Sequence, residues 1–350
     1  MIDLQPSSEQ NAIVDSVAAF LADRLPRDRL RPEPQPRPNM DFGAWAELGA
    51  LGVFALGLPE DCGGAGYGLM EEMLVHREFG RFLLSPSVIA TPVAAKLAAA
   101  AGDTALASRI GAGEVFVAPA LAGGCFGRVH LLDAPNALML LSWGDGSLSL
   151  QESNAVGDRV AVAGIDTTVA LETANLSGGQ VIAAAEGHAL SRQANLLVCA
   201  YLVGIAEAAC EQSVAYAKVR EQFDQPIGAF QAVKHRCADM LMRASAAWNL
   251  TLFAALADVA GGVDAGFQAS AARLIAADAA LRNAAVNIQN HGGIGFTGEH
   301  DAHHFLKRAH MLDRFGGGPA AQKKRMLAEP SPFSTQTSIG PTDPVQGTST

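Results

Sequence analysis

A chain of 350 residues, 49% hydrophobic and 17% charged, with 36 glycines spread without a periodic repeat, has the composition of a globular, helix-rich protein and not of a disordered or fibrous one. Its formal charge of −10, with 25 basic residues scattered along the chain, speaks against nucleic acid as a partner. The most apolar stretch, Leu196 to Ala206, falls short of the ~20 residues that span a bilayer, so it is expected as a buried helix and no membrane partner is expected.

In chain order, Met1 to Gln10 shows no basic and apolar leader pattern, from which a cytoplasmic location is expected. Ser8 is a possible N-cap for a helix carrying Ile13, Val14, Val17 and Phe20 at helical spacing, which Pro26 and the Pro-rich run Arg31 to Pro38 end. A second helix over Phe42 to Leu51 leads into the glycine loop Leu58 to Gly68, and Met70 to Phe79 resumes helix. From Glu114 to Val181 short apolar or alternating runs (Val115–Pro119, Arg128–Leu132, Ala137–Leu141, Ser147–Gln151, Arg159–Val162) separated by Gly, Asn and Asp predict a small antiparallel β region. From Ala183 to Phe315 long helical patterns broken at Pro226-Ile-Gly228, Gly261-Gly262 and Gly292-Gly293 predict four antiparallel helices. The expected domains are N-terminal helical (1–112), β (113–182) and helical bundle (183–330), followed by a Pro, Ser and Thr-rich tail (331–350) expected to be disordered: an α+β, mainly α, chain. The cysteines Cys62, Cys125, Cys199, Cys210 and Cys237 lack CxxC spacing and are expected as free thiols.

Two segments carry chemistry. Arg220-Glu-Gln-Phe-Asp-Gln-Pro-Ile-Gly-Ala-Phe-Gln231 offers a guanidinium fork at a helix end, able to clamp a phosphate, or is an ordinary link between helices. Gln289-Asn-His-Gly-Gly-Ile-Gly-Phe-Thr-Gly298 offers glycines that let backbone approach a ligand, or is a glycine cap; it follows a helix, so it is not a dinucleotide-binding turn.

In this order and separated by two helices, the two segments resemble the C-terminal signatures of the acyl-CoA dehydrogenase family. The likeness extends to Leu51–Gly66 and Glu72–Gly80, which resemble the family's glycine loop and following helix. The resemblance implies the family's fold of N-terminal helical domain, small β domain and C-terminal four-helix bundle. It also implies that Arg220, Gln222, Phe223, Gln231, Gln289, Gly292 and Gly293 bind the ADP half of an FAD held by a neighbouring subunit.

The family's reaction needs a glutamate base, which abstracts an α-proton while hydride leaves for the flavin. At the usual base position this chain has Gly316, in Phe315-Gly-Gly-Gly318, and at the alternative position Ala194, in Ser191-Arg-Gln-Ala-Asn-Leu196, so no catalytic residue is assigned. The β region is shortened and lacks the segments that surround the flavin; Trp143 is expected as a packed aromatic.

The resemblance therefore implies the non-catalytic subunit of a heteromeric acyl-CoA dehydrogenase like the α2β2 assemblies of bacterial steroid catabolism. A paralogous subunit would supply base, flavin pocket and acyl-CoA, and an electron-transfer flavoprotein is the implied electron acceptor. Alternatives are a homomeric enzyme with a relocated base, for which Asp61, Glu71 and Glu72 beside the glycine loop are the carboxylates at hand, or a catalytically dead scaffold. Glu299-His-Asp-Ala-His-His304 could place three histidines on one face, but is read as a solvated or interface helix, with no metal assigned. Lys234 and His235 open the helix after the first motif, near a phosphate or simply on the surface.

Overall fold

The computed structural model describes residues 4–31, 41–122, 128–144, 146–176, 181–186 and 188–330; the expected disordered tail, Cys125 and most of the Pro-rich run lie outside them. Helix α1 (Ser8–Arg24) is capped by Ser7, not Ser8. Ser7 Oγ accepts from the Gln10 amide at 3.1 Å and Gln10 Oε1 from the Ser7 amide at 2.9 Å, a reciprocal pair that needs Gln or Glu three residues beyond the cap. Helix α2 (Phe42–Ala50), capped by Asp41, leads through the glycine loop to α3 (Leu69–Arg81), α4 (Ser87–Ala100) and α5 (Thr104–Gly111). Helix α4 is apolar on all sides and is enclosed by its neighbours for most of its length.

Seven strands follow: β1 (Val117–Ala122), β2 (Arg128–Leu132), β3 (Met139–Trp143), β4 (Ser147–Glu152), β5 (Val156–Val162), β6 (Leu171–Leu176) and β7 (Val181–Glu186). Their order is β5-β6-β2-β1-β3-β4-β7. The sheet is mixed where sequence suggested antiparallel. Strands β1 and β3 run parallel, Val117 opposite Met139 through Leu121 opposite Trp143, because β2 returns to the far side of β1 and pairs with β6. Short alternating runs say which face is buried, not which neighbour they join.

The four helices expected between Ala183 and Phe315 are α6 (His188–Val219), α7 (Gln231–Val259), α8 (Ala265–His291) and α9 (Ala302–Leu312), and a further helix, α10 (Gly318–Ala328), follows them. A hairpin of β8 (Glu221–Gln222) and β9 (Gln225–Pro226) joins α6 to α7. Leu196 to Ala206 is buried throughout, as expected of a core helix. By length and composition α6 and α7 could each cross a membrane, but most of the apolar window of α6 is enclosed by protein.

Two contacts fix the helical parts on each other. Helices α3 and α6 cross at Gly80 and Gly204, where a Cβ on Gly80 would strike the Tyr201 carbonyl and one on Gly204 the Arg77 carbonyl. Only glycine permits that backbone approach. Arg77 then forks onto Glu207 with two bonds of 2.7 Å, and Arg81 reaches Glu211 at 2.6 Å. The second contact is Arg308 of α9, wholly buried, whose Nε donates to Asp166 Oδ2 at 2.6 Å. Its remaining N–H groups reach the carbonyls of Leu83 and Leu84, the Tyr201 hydroxyl and Thr168 Oγ1. One side chain thus ties the bundle, the sheet and the N-terminal helices, with all three of its nitrogens hydrogen-bonded, as a buried guanidinium requires.

Candidate cofactor half-site

Helix α7 returns antiparallel to α6, and α8 antiparallel to α7, so α6 and α8 end on one side of the bundle. The two sequence motifs meet there. Tyr216, one turn before Arg220, stacks on His291 at 4.3 Å between ring centroids, and its carbonyl accepts from the Arg220 amide at 2.8 Å. Asn290 Nδ2 touches Cys237 Sγ of α7 at 3.9 Å, which sets the second motif against the helix that Gln231 opens.

All seven residues singled out from sequence lie on this end, and all of them are exposed. Arg220, Gln231 and Gln289 have no hydrogen-bond or ionic side-chain partner among the described residues. Phe223 is 86% exposed, edge-on to Phe230 at 6.1 Å, at the tip of the β8–β9 hairpin. Gly292 takes φ +64°, a conformation that favours glycine, and a Cβ there would meet nothing within 4 Å. At Gly293 the backbone is ordinary and a Cβ would also meet nothing, so neither conformation nor packing within this chain demands glycine. An outside group approaching the backbone is what such a bare surface accommodates, and a nucleotide pyrophosphate fits a face made of one guanidinium, side-chain amides and open peptide.

At the expected base position the geometry is the reverse. Gly316 is buried with φ +64°, and a Cβ on it would lie 2.9 Å from Asn195 Oδ1, 3.3 Å from Gln322 Nε2 and 3.4 Å from Trp143 Nε1. Arg325 donates to the Gly316 carbonyl. Trp143 is buried edge-on against Phe315 at 5.3 Å, the packed aromatic that was expected. Ala194 is also wholly buried. The space a glutamate would need is filled from β3, α6 and α10, a closure that sequence reasoning missed because Trp143 and Asn195 lie more than 100 residues before Gly316.

Among the described residues the carboxylates nearest that position are engaged elsewhere. An apolar cleft of about 330 Å³ between the sheet and the end of α9 is lined by Leu121, Leu132, Val169 and Met311, and its two carboxylates are committed, Asp166 to Arg308 and Asp313 to Arg273 at 3.8 Å. Of the carboxylates near the glycine loop, Glu72 is buried against Lys96 of α4; burial raises its pKa and Lys96 opposes the rise. Glu71 caps Gly68 at 2.9 Å and accepts from Gln10, and Asp61 is on the surface.

In the histidine-rich segment, read as a solvated or interface helix, Glu299 is exposed and His300 half-buried, whereas Asp301, His303 and His304 are buried within the chain. Among the described residues no group of three His, Cys, Asp or Glu side chains is placed to hold a metal ion. Cys62, Cys199 and Cys210 are free and buried, and Cys237 is free and partly so.

Comparison with known proteins decides the family. Residues 7–110 match the family model for acyl-CoA dehydrogenase, N-terminal domain, and residues 190–330 that for acyl-CoA dehydrogenase, C-terminal domain. The chain is 31% identical over 331 residues to acyl-CoA dehydrogenase IpdE2 of Mycobacterium tuberculosis (strain ATCC 25618 / H37Rv), a match covering 93% of this chain and 98% of that protein. The chain belongs to the acyl-CoA dehydrogenase family. It is also 37% identical over 318 residues to acyl-CoA dehydrogenase FadE34 of the same organism; that match covers 83% of this chain but 44% of FadE34, so the chain spans less than half the length of this relative. Among solved structures, the ChsE4-ChsE5 complex from Mycobacterium tuberculosis shares the acyl-CoA dehydrogenase fold, with a TM-score of 0.77 at 22% identity over 94% of this chain and 100% of that one. A structure titled as the Tcur3481-Tcur3483 steroid ACAD, G363A variant, gives 0.77 at 23% identity, over 91% and 97%.

Proposed function

We propose that this chain is the non-catalytic subunit of a heteromeric FAD-dependent acyl-CoA dehydrogenase, presenting Arg220, Gln222, Phe223, Gln231, Gln289, Gly292 and Gly293 to the ADP half of an FAD whose ring lies in a catalytic, paralogous subunit. The observation that carries this reading is an asymmetry. The surface that would serve a neighbour is open and unspent, while the position of this chain's own base is glycine, buried and filled.

When bound, FAD accepts the hydride from the β-carbon of a CoA thioester. This chain's part is confined to holding. Arg220 would pair with the pyrophosphate, the glutamines would orient the nucleotide, and the bare peptide at Gly292 and Gly293 would let it lie close. The exposed apolar side chains of α7, Leu241, Met242 and Phe253, give a second chain a surface to bury. FadE34 is more than twice as long as its matched stretch, which leaves room for a second unit of this size in one polypeptide. The likeness to the steroid ACAD structure supports a steroid side-chain thioester as the complex's substrate.

The test is co-expression with a paralogue that keeps Glu at the Gly316 position. Flavin absorbance and acyl-CoA-dependent bleaching in the co-purified complex, and in neither chain alone, are the expected result. Flavin and turnover from this chain by itself would overturn the reading in favour of a homomeric enzyme, and a complex without flavin would leave a scaffold.

A further inference from the structure

Three rings stand in series behind the half-site. Tyr216 of α6 lies on His291, the last residue of α8, and His291 lies 4.4 Å from His300, at the entry to α9. Between the two histidines runs the glycine loop Gly292–Phe296. The ring at 216 and the guanidinium at 220 are also joined through backbone, since the Tyr216 carbonyl accepts from the Arg220 amide. This stack therefore joins the segment that carries Arg220 to the glycine loop through side chains.

The hydrogen bonds place the Nδ1 proton of His291 and exclude one at Nδ1 of His300, so only His300 is required to be neutral. His291 Nδ1 lies 2.8 Å from the Asn287 carbonyl, which can only accept, so Nδ1 carries the proton. His300 Nδ1 accepts from the Ala302 amide at 3.1 Å, so it must be bare. An imidazolium at 300 has no lone pair to offer Ala302, and a second charge at His291 would face it across 4.4 Å.

We propose that Tyr216, His291 and His300 are positioning residues that clamp the glycine loop against Arg220, and that the clamp closes only while the His300 imidazole is neutral. The proposal rests on the half-site reading only for what the loop holds. Facing the two imidazoles are Asp301 on their own loop, its Oδ1 3.6 Å from His300 Nδ1, Arg27 and Arg31 from the N-terminal segment, His303 on α9, and from α6 the Tyr216 ring and the neutral Gln212 that binds Asp301 at 2.9 Å. For both histidines burial lowers the pKa, outweighing the opposing pull of Asp301. A lowered pKa in the closed form and an ordinary one near 6.5 in the open form mean that closure is fully present above about pH 6.5 and lost as pH falls through that window.

The test is amide hydrogen exchange of the full chain at pH 7.5 and 5.5, with rates normalised for the intrinsic pH dependence. Protection of residues 292–302 should fall, by up to about tenfold for each imidazole that charges over this range, while the buried core of α6 stays protected. His300→Asn keeps an acceptor for Ala302 without a titrating group and should shrink the step. Tyr216→Leu should expose the loop at both pH values and Tyr216→Phe restore it. A step unchanged in His300→Asn, no step in the wild type, or a loss shared equally by α6 would overturn the clamp. Exchange of the same peptides in the co-purified complex separates the two readings: a loop that switches with pH but gains no protection from FAD supports the clamp while the half-site reading fails.

Discussion

Asn195 stands directly across from Gly316, its Oδ1 2.9 Å from where a Cβ on the glycine would be. Restoring the family's carboxylate by Gly316→Glu therefore meets both a left-handed backbone and an occupied space. We predict a loss of stability of about 2–4 kcal/mol and no acyl-CoA-dependent bleaching from this chain alone. Thermal melts and anaerobic flavin titration check both, and a Gly316→Glu chain that turns over by itself would contradict the filled-site reading.

Arg220→Ala should leave the melting temperature of the isolated chain unchanged, because the side chain is exposed and unpaired among the described residues. In the complex it should weaken flavin retention by roughly 10- to 100-fold, the range expected for a lost charge-assisted bond of about 1.5–3 kcal/mol. The ratio of flavin to protein after gel filtration is the readout. Arg220→Lys, with no fork, should recover only part of the loss.

Removing one partner of the Arg308–Asp166 pair should be among the most damaging single changes. Arg308→Met strands a buried carboxylate and Asp166→Asn a buried guanidinium, each at about 3–5 kcal/mol in denaturant unfolding. Burial would raise the Asp166 pKa, but Arg308 and the Thr168 bonds outweigh it and the pKa is lowered. With the folded value below the ordinary carboxylate value, this pair's stabilisation is present at neutral pH and is lost as pH falls from about 4 through the folded value.

His304 is buried with neither ring nitrogen hydrogen-bonded, and burial first, then the neighbouring His303, lowers its pKa to about 4. The unfolded chain takes up its proton near pH 6.5, so stability should fall between pH 6.5 and 4, by up to about 3 kcal/mol from this residue. His304→Phe should flatten that part of the profile, measured as urea midpoints at several pH values. An unchanged profile would assign the acid sensitivity elsewhere.

Helix existence was legible because the signals are local: apolar spacing from Ile13 to Phe20, the breaks at Gly261 and Gly292, and the unbroken apolar run that became the centre of α6. Caps and pairings were less so. Ser7 and Ser8 are both good caps, and only the side chain three residues on decides between them. Strands β6 and β7 carry Glu172, Asn175 and a run of three alanines in place of clean alternation, and the parallel β1–β3 pair depends on where β2 goes. The motif residues Arg220 and Gln289 stand in recognisable strings. His291 and His300 stand in the quoted strings as well, but Tyr216, one helical turn before Arg220, was not singled out, so the stack behind them was not legible. The closure over Gly316 left no trace in sequence, because Trp143, Asn195 and Gln322 acquire meaning only once three distant elements converge.

The crossing of α3 and α6 also sets an order of events at the ribosome. Arg77 and its partner Glu207 are 130 residues apart, and the groove that receives Gly80 does not exist until Tyr201 has been made. At about 5–20 residues per second, the N-terminal helices wait roughly ten seconds with the α6-facing side of α3 uncovered. During that interval the nascent chain is open to any holdase that recognises apolar helix surfaces.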